Sequence, residues 1–451
     1  MTDQVAIAAI RFGYGLPLPA GAPTDPSAML AALRAPDAMA AQYPTAGLAA
    51  VSAALVEELA QRPQRRGTDA ERKPYQAAMA TIADQTNGGV RAGFVRALAA
   101  PDGFRERLVN FWTDHFTVIA KTSAGESMPH TLIDEAIRPN LAGPFAQMLR
   151  AVTFHPAMLI YLNQVASVGP DSAVGKKQQI GLNENLAREL MELHTLGVGA
   201  PYSQTDVTQM ANLLTGLWYA PKAGFRFAAN RAEPGVKTVL GKTYSGSGLD
   251  PVAAALTDLA LHPETAHHLS RELAVHFLSD TPDEAVVSLM AQSYLDSGGD
   301  LSAVYATLLA QPAAWAPLGA KARQPYDFMV ASLRALGVSP ADLAGYDLQK
   351  FNHLIILPMR AMGQKWTKPR GPDGWAEAAS AWITPPALAA RITWAMNIPL
   401  RLVKPLPEPV AFLDQTLGPV AGAPLRWATA RAADFREGVG LVLASAEFNT
   451  R

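Results

Sequence analysis

The chain has 451 residues, with 38 Lys and Arg against 39 Asp and Glu, and it contains no cysteine. A near-zero net charge without a basic block argues against nucleic acid as a main partner. The lack of cysteine excludes disulfides and thiolate metal sites. Hydrophobic residues make up 49% and charged residues 17%, a balance typical of a helical globular protein with a large core.

The N-terminal residues do not have the pattern of a signal peptide. Residues 1–15 lack a basic n-region, and Asp3 and Arg11 flank only a short apolar run. No uninterrupted apolar segment reaches the roughly 18 residues that a membrane span needs. The sequence therefore predicts no membrane span and, because no signal peptide is recognisable, a cytoplasmic location.

Apolar residues recur three and four positions apart along most of the chain, which predicts helices. The predicted helices cover residues 46–61, 68–99, 104–120, 140–152, 183–196, 204–218, 251–261, 264–279, 282–297, 300–310 and 326–336. Ser203 and Asp206 have the spacing of a capping box. In the run Thr281-Pro282-Asp283-Glu284, Thr281 is the predicted N-cap and Pro282 the first helical residue.

The pattern changes between residues 221 and 249. Two short alternating or β-branched runs, 225–228 and 236–240, are separated by a Pro-Gly turn, which predicts a small β-hairpin near 224–241. The predicted fold class is therefore all-α, a multi-helix globular protein with a small hairpin insertion. We expect one helical unit over 1–451, with two halves, 1–220 and 250–451, joined by 221–249 as the alternative.

The predicted helix over 183–196 combines a polar face with an apolar stripe. Residues at positions i, i+3, i+4 and i+7 form the polar face, namely Asn185, Arg188, Glu189 and Glu192. One interpretation is structural: Asn183 caps the helix, the charges pair, and a cationic His194 suits the helix end before Gly197. The alternative is a buried polar network or ligand site.

His115 is the second candidate for chemistry. On the predicted helix 104–120 it falls on the apolar stripe with Leu108, Phe111 and Trp112, away from Arg105, Arg107 and Asp114. A buried imidazole needs a partner. A carboxylate or carbonyl partner would be structural, whereas a metal, haem or general-base role would be functional.

These two candidates combine into one speculative polar site of His115, Asn185, Arg188, Glu189 and Glu192. It predicts that His115 lies within hydrogen-bonding reach of Glu189 or Glu192, for acid–base chemistry or for an oxygen-ligated metal. The sequence assigns no cofactor and leaves the metal content open.

Two further groups have a mainly structural interpretation. His268, Glu272 and His276 stand four residues apart, too far along a helix for all three to share one metal, so we predict a surface row. Four tryptophans lie within residues 366–394 around a Pro/Gly-rich loop. They are expected to pack between helices, and lining of a cleft is the alternative.

Several ordered motifs resemble one bacterial family, domain of unknown function 1800. They span nearly the whole chain and comprise residues 11–15 (RFGYG), 111–116 (FWTDHF), 183–198 (NENLARELMELHTLGV), 202–207, 214–216, 237–241, 297–301 and 443–448. The resemblance implies a mainly α-helical fold and carries over no catalytic residues. The sequence departs from the family pattern at two places. Members often have a His-Asp or His-Glu pair where this chain has residues 231–233, and members can carry Phe where this chain has His194.

The resemblance also implies a partner. Members commonly occur beside a second family, domain of unknown function 1501, which is sulfatase-like and often exported. We therefore expect a helical binding or assembly protein that acts with such a partner, and the alternative is an enzyme that uses the polar site above. The exported neighbours make the periplasm the alternative location, and the oligomeric state is not indicated.

Overall fold

The computed structural model describes residues 3–101 and 103–451. It is mainly α-helical, as predicted. The helices before the strands are α1 (Asp3–Arg11), α2 (Pro26–Arg34), α3 (Ala38–Gln42), α4 (Leu48–Gln61), α5 (Asp69–Ala99), α6 (Gly103–His115), α7 (Met128–Leu132), α8 (Phe145–Phe154), α9 (Pro156–Tyr161), α10 (Ala173–Gln178), α11 (Asn185–Glu192) and α12 (Gln204–Leu214).

Most of the helices after the strands follow one another through short turns, but longer connections precede α17 and α21. They are α13 (Leu249–Ala260), α14 (Pro263–Phe277), α15 (Glu284–Asp296), α16 (Leu301–Ala310), α17 (Pro325–Ala335), α18 (Pro340–Ala344), α19 (Leu348–Phe351), α20 (Leu357–Ala361), α21 (Ala379–Trp382), α22 (Pro385–Asn397), α23 (Pro399–Leu402), α24 (Pro409–Thr416), α25 (Ala423–Thr429), α26 (Phe435–Ala444) and α27 (Ala446–Asn449). Helix α7 continues into a π-helical turn, Ile133–Ile137, and such turns often occur at functional sites.

The insertion contains two antiparallel hairpins. Strand β1 (Leu217–Ala220) pairs with β2 (Gly224–Phe227), and β3 (Lys237–Val239) pairs with β4 (Lys242–Tyr244). A small β insertion is confirmed, but the predicted pairing of run 225–228 with run 236–240 is wrong. Leu240 and Gly241 both have positive φ, as a tight two-residue turn requires, so the second run folds back onto the residues that follow it.

Two helix starts test the capping signals. The Ser203 side chain accepts from the Asp206 backbone N–H and the reciprocal bond is present, so the predicted capping box is confirmed. The predicted N-cap at Thr281 is wrong, because helix α15 begins at Glu284 and its N-cap is Asp283, whose carboxylate accepts from the N–H of Ala285.

The core of the described residues contains two large clusters of buried side chains and a small third one around α1. The first draws on residues 12–315, and the second joins Tyr14 and the end of α5 to residues 326–448. Helix α6 belongs to the first cluster and α17 to the second, and the two helices are linked by the ion pair between Arg107 and Asp327, at 2.6 Å. Within the described residues, no helix is both long enough and apolar enough to cross a membrane.

Candidate functional site

Helix α6 is buried on more sides than the sequence predicts. Leu108, Phe111 and Trp112 belong to the core as expected, but Arg105 and Arg107 are buried as well. Arg105 donates to the carbonyls of Ala32, Leu33 and Ala35 at the end of α2, while Arg107 pairs with a carboxylate. The placement of these arginines on a solvated face was therefore wrong, because each has internal acceptors that offset its burial.

His115 does not meet the polar face of α11. Its Nδ1 lies 2.7 Å from Oε2 of Glu272 and its Nε2 lies 3.3 Å from the carbonyl oxygen of His194. Both partners are hydrogen-bond acceptors, so each ring nitrogen of His115 faces an oxygen. Burial opposes ionisation of Glu272, but His115 lowers the pKa of that carboxyl below its usual range. The predicted contact of His115 with Glu189 or Glu192 is thus replaced by a structural ion pair.

The polar face of α11 lies beside α12. Arg188 pairs with Glu184 at 3.4 Å and with Glu192 at 3.3 Å, and Asn185 is exposed. Glu189 is half-buried, and burial together with the charge of Glu192 raises its pKa. The structure therefore brings Arg188 and Glu192 together on this face and separates all four residues from the contacts of His115.

The predicted cap at the start of α11 and the predicted glycine after its end are present, but the predicted charge of His194 is not. Asn183 Oδ1 accepts from the N–H of Asn185 at 2.9 Å, so the cap is present, and Gly197 has the expected positive φ. The expectation of a cationic His194 is wrong. Its ring is buried, and burial, followed by repulsion from His115 and His268, lowers its pKa well below the usual value.

The predicted surface row on α14 is also wrong. His276 is buried; its Nδ1 lies 2.6 Å from Oε1 of Glu377 and its Nε2 lies 3.3 Å from a guanidinium nitrogen of Arg107. The two ring nitrogens therefore face a carboxylate on one side and a guanidinium on the other. Among the described residues, no three His, Asp or Glu side chains are placed to hold a metal ion.

A cleft lies between α6, the α7 region and the loop before α21. It encloses about 1140 Å³ of space that no protein atom occupies, counted out to its open mouth. Its walls are largely apolar and aromatic, and they include Phe111, Phe116, Tyr326, Trp366 and Trp375. A concave, mostly apolar lining with a few polar groups is the usual form of a small-molecule site.

Charged side chains in the cleft wall are paired with one another. Arg96 donates to both oxygens of Asp134, at 2.6 and 2.9 Å. Arg138 donates to both oxygens of Glu106, at 2.6 and 3.0 Å. Glu377 contacts His276 and also lies 3.1 Å from Lys321; burial opposes its ionisation, but these two neighbours lower its pKa to about 2. The wall therefore offers little uncompensated charge.

Asp114 anchors the loop that forms one wall. Its two carboxyl oxygens accept from the backbone N–H of Trp375, at 3.0 and 3.1 Å. A Cβ at Gly374, where φ is +71°, would lie 2.7 Å from one of these oxygens, so only glycine allows this approach. Burial, followed by the charge of Glu377, raises the pKa of Asp114 well above its usual value.

Several polar side chains in the cleft wall have no hydrogen-bond partner in the described part of the chain, and they include Asn110, Thr113 and His130. Burial lowers the pKa of His130 to about 4, so its ring is neutral at pH 7. The ring packs directly on Gly89, where a Cβ would lie 2.3 Å from His130 Cγ. These neutral groups can donate to and accept from a ligand.

Sequence reasoning missed most of this site. All four tryptophans, Trp366, Trp375, Trp382 and Trp394, were expected to pack between helices, with lining of a cleft as the alternative. Trp366 and Trp375 line the cleft, whereas Trp382 and Trp394 are buried in packing. Asp114 stood in the family-like FWTDHF motif and could have been found there. No local signal marks His130, because its importance arises from the approach of α5 to α7.

A family model described as "Protein of unknown function (DUF1800)" matches residues 9–450. No curated protein and no solved structure matches the chain.

Proposed function

We propose that this helical protein, which belongs to the DUF1800 family over nearly its whole length, binds a small, uncharged organic molecule in the cleft. The observation that carries the proposal is an aromatic cleft whose wall holds neutral polar groups without a partner in the described part of the chain: the buried hydroxyl of Thr113 and the side chains of Asn110 and His130. Buried polar groups normally have partners, and a ligand with hydrogen-bonding groups on an apolar body would supply them.

The charge balance of the cleft supports an uncharged ligand. Arg96 and Arg138 are each neutralised by a carboxylate, and Asp114 has a raised pKa. An ionic ligand would lose its hydration without gaining a free counter-charge, which is unfavourable. An aromatic or alicyclic molecule with hydroxyl or amide groups fits this lining.

A thermal-shift screen with matched pairs tests the proposal. Each pair consists of a neutral compound and its charged analogue, such as a carboxamide and the corresponding carboxylate. Neutral members are expected to raise the Tm saturably and their charged analogues are not, because binding to the folded state stabilises it. Preferential stabilisation by the charged members would contradict the proposal.

A second candidate is acid–base catalysis on the bound molecule. Asp114, whose pKa is raised, and His130, whose pKa is lowered, line the same cleft. A carboxyl with a raised pKa can act as a general acid, and a neutral imidazole can act as a general base. Under this candidate, the Asp114→Asn variant retains substrate whereas the wild type releases product. Identical bound molecules in the two proteins, identified by mass spectrometry, would refute it.

The sulfatase-like partner is a further proposal that rests on the family resemblance alone. We propose that the chain associates with such a protein as a binding component. Affinity purification of the tagged chain from a cell that encodes both proteins tests it: co-elution in a fixed ratio is expected, and its absence would argue against an assembly.

A further inference from the structure

A cluster of four arginines lies behind the floor of the cleft. The arginine cluster consists of Arg107, Arg323, Arg391 and Arg451, none of which is more than 2% exposed, and it surrounds a single carboxylate, Asp327. Arg107 joins the cluster to the cleft, since it contacts both Asp327 and His276.

The nearest other cation cannot share this carboxylate. Lys321 lies close to Asp280 and to Glu377, with its Nζ 2.5 Å from an Asp280 oxygen, so its charge is already compensated. Four guanidinium groups therefore surround one carboxylate, and the charge of Glu377 acts in addition on Arg107, so positive charge remains in excess in a place that water barely reaches.

The hydrogen bonds of the arginine cluster are incomplete. Arg391 donates to Asn449 and to the Arg323 carbonyl. In contrast, all three side-chain nitrogens of Arg451, and the NH1 of Arg323, are buried with no hydrogen-bond acceptor among the described residues. The Nε of Arg451 lies 3.5 Å from Asp327, which is too long for a strong hydrogen bond.

Burial does not remove these charges. It lowers the pKa of Arg323 and of Arg391 to about 10, so both remain cationic at neutral pH. Aromatic rings cover their faces: Arg323 lies over Phe448 and Arg391 over Phe328. Such contacts stabilise the guanidinium planes, but they provide no acceptor for the NH1 of Arg323 or the Nε of Arg391.

We propose that the arginine cluster is a binding site for inorganic phosphate, distinct from the ligand site in the cleft. Guanidinium forks match the oxygens of a tetrahedral oxyanion and form charge-assisted hydrogen bonds with them. Asp327 adds selectivity: its Oδ1 is also buried without a donor. Hydrogen phosphate carries a proton that can donate to this oxygen, whereas sulfate carries none at neutral pH and would be repelled.

Two motifs from opposite ends of the matched region build this site. Gly15, in the motif at 11–15, lies against Arg323, and a Cβ there would be 3.4 Å from a guanidinium nitrogen. Phe448, in the motif at 443–448, covers the same guanidinium. A phosphate bound between them would tie the two motifs together, so we expect it to stabilise the folded chain.

The first test measures phosphate carried by the full-length protein. The protein is purified in buffers free of phosphate and sulfate, denatured, and assayed for released phosphate by colorimetry. We expect one phosphate per chain, or, where the site has emptied during purification, a saturable rise in Tm on addition of phosphate that sulfate at equal ionic strength does not produce. No released phosphate together with no phosphate-specific rise in Tm would overturn the proposal.

Variants locate the site. Arg323→Met is expected to abolish both the released phosphate and the phosphate-specific rise in Tm. Arg34→Met, at an exposed arginine on α2, is the matched control and should keep both. Retention of both signals by a folded Arg323→Met protein would overturn the assignment; if that variant does not fold, the wild-type comparison of phosphate with sulfate decides.

Discussion

Replacement of His130 tests whether a neutral imidazole lies in the cleft wall. Burial lowers the pKa of His130 from 6.5 to about 4. A histidine whose pKa is depressed in the folded state contributes stability above pH 6.5, and that stability is lost as the pH falls towards 4, because only the unfolded chain takes up the proton. The wild type should therefore become less stable through this window.

The magnitude follows from the shift. A fall of about 2.5 pKa units corresponds to about 3 kcal/mol at about 1.4 kcal/mol per unit. His130→Phe keeps a planar ring against Gly89 but cannot take up a proton. We expect the two proteins to differ little at pH 7 and the variant to gain about 2 to 3 kcal/mol over the wild type by pH 4.5.

Urea denaturation at several pH values provides the measurement, because the free energy of unfolding is obtained at each pH. His353→Phe, at an exposed histidine, is the control and should give a profile parallel to that of the wild type. Parallel profiles for His130→Phe and the wild type would refute the neutral, buried state of His130.

Three further variants test the charges described above. Glu106→Gln leaves Arg138 paired with Asp37 alone and should cost about 1 to 3 kcal/mol in urea denaturation, because a buried charge-assisted hydrogen bond is weakened. A loss well below about 1 kcal/mol would mean that the pair with Glu106 is solvated. Because the pKa of Asp114 is raised in the folded state, this carboxyl contributes to the stability of the folded protein below pH 3.8, and the contribution is lost as the pH rises towards the folded-state pKa. Asp114→Asn should therefore gain stability relative to the wild type with rising pH, and a flat difference between pH 4 and 8 would contradict this. Glu189→Gln should change stability by no more than about 0.5 kcal/mol at pH 7, since Glu189 is half-buried and lacks a cationic partner; a large loss would indicate a buried charge network on α11.

The helices were largely predictable because their signals are local. Predicted helix 68–99 corresponds to α5, Asp69–Ala99, and predicted helix 204–218 begins with the capping box at Ser203. The strand partners were not predictable from local signals, because strand pairing depends on the turns. Run 236–240 was predicted to pair with run 225–228, but a turn with positive φ at Leu240 and Gly241 closes a separate hairpin.

The site was harder to predict because it is built from contacts distant in sequence. His115 was correctly expected to be buried with a partner, but that partner, Glu272, lies 157 residues away. Buried arginines were missed for the same reason, since a periodic pattern assigns Arg107 to a solvated face and cannot show that Asp327 faces it. Helical periodicity therefore cannot identify polar residues that are buried against partners distant in sequence.

The most direct test of the proposed ligand site is to block it. Gly93 lies on α5 in the cleft wall, and Gly88 lies on the same helix outside the lining; a Cβ at either position meets no atom within 4 Å. Gly93→Phe should fill the cleft, whereas Gly88→Phe is the matched control.

Small molecules released on denaturation of the wild type and both variants are compared by liquid chromatography and mass spectrometry. The account predicts an uncharged organic molecule that is released by the wild type and by Gly88→Phe and is depleted in Gly93→Phe. Identical small-molecule profiles for the three folded proteins would contradict it.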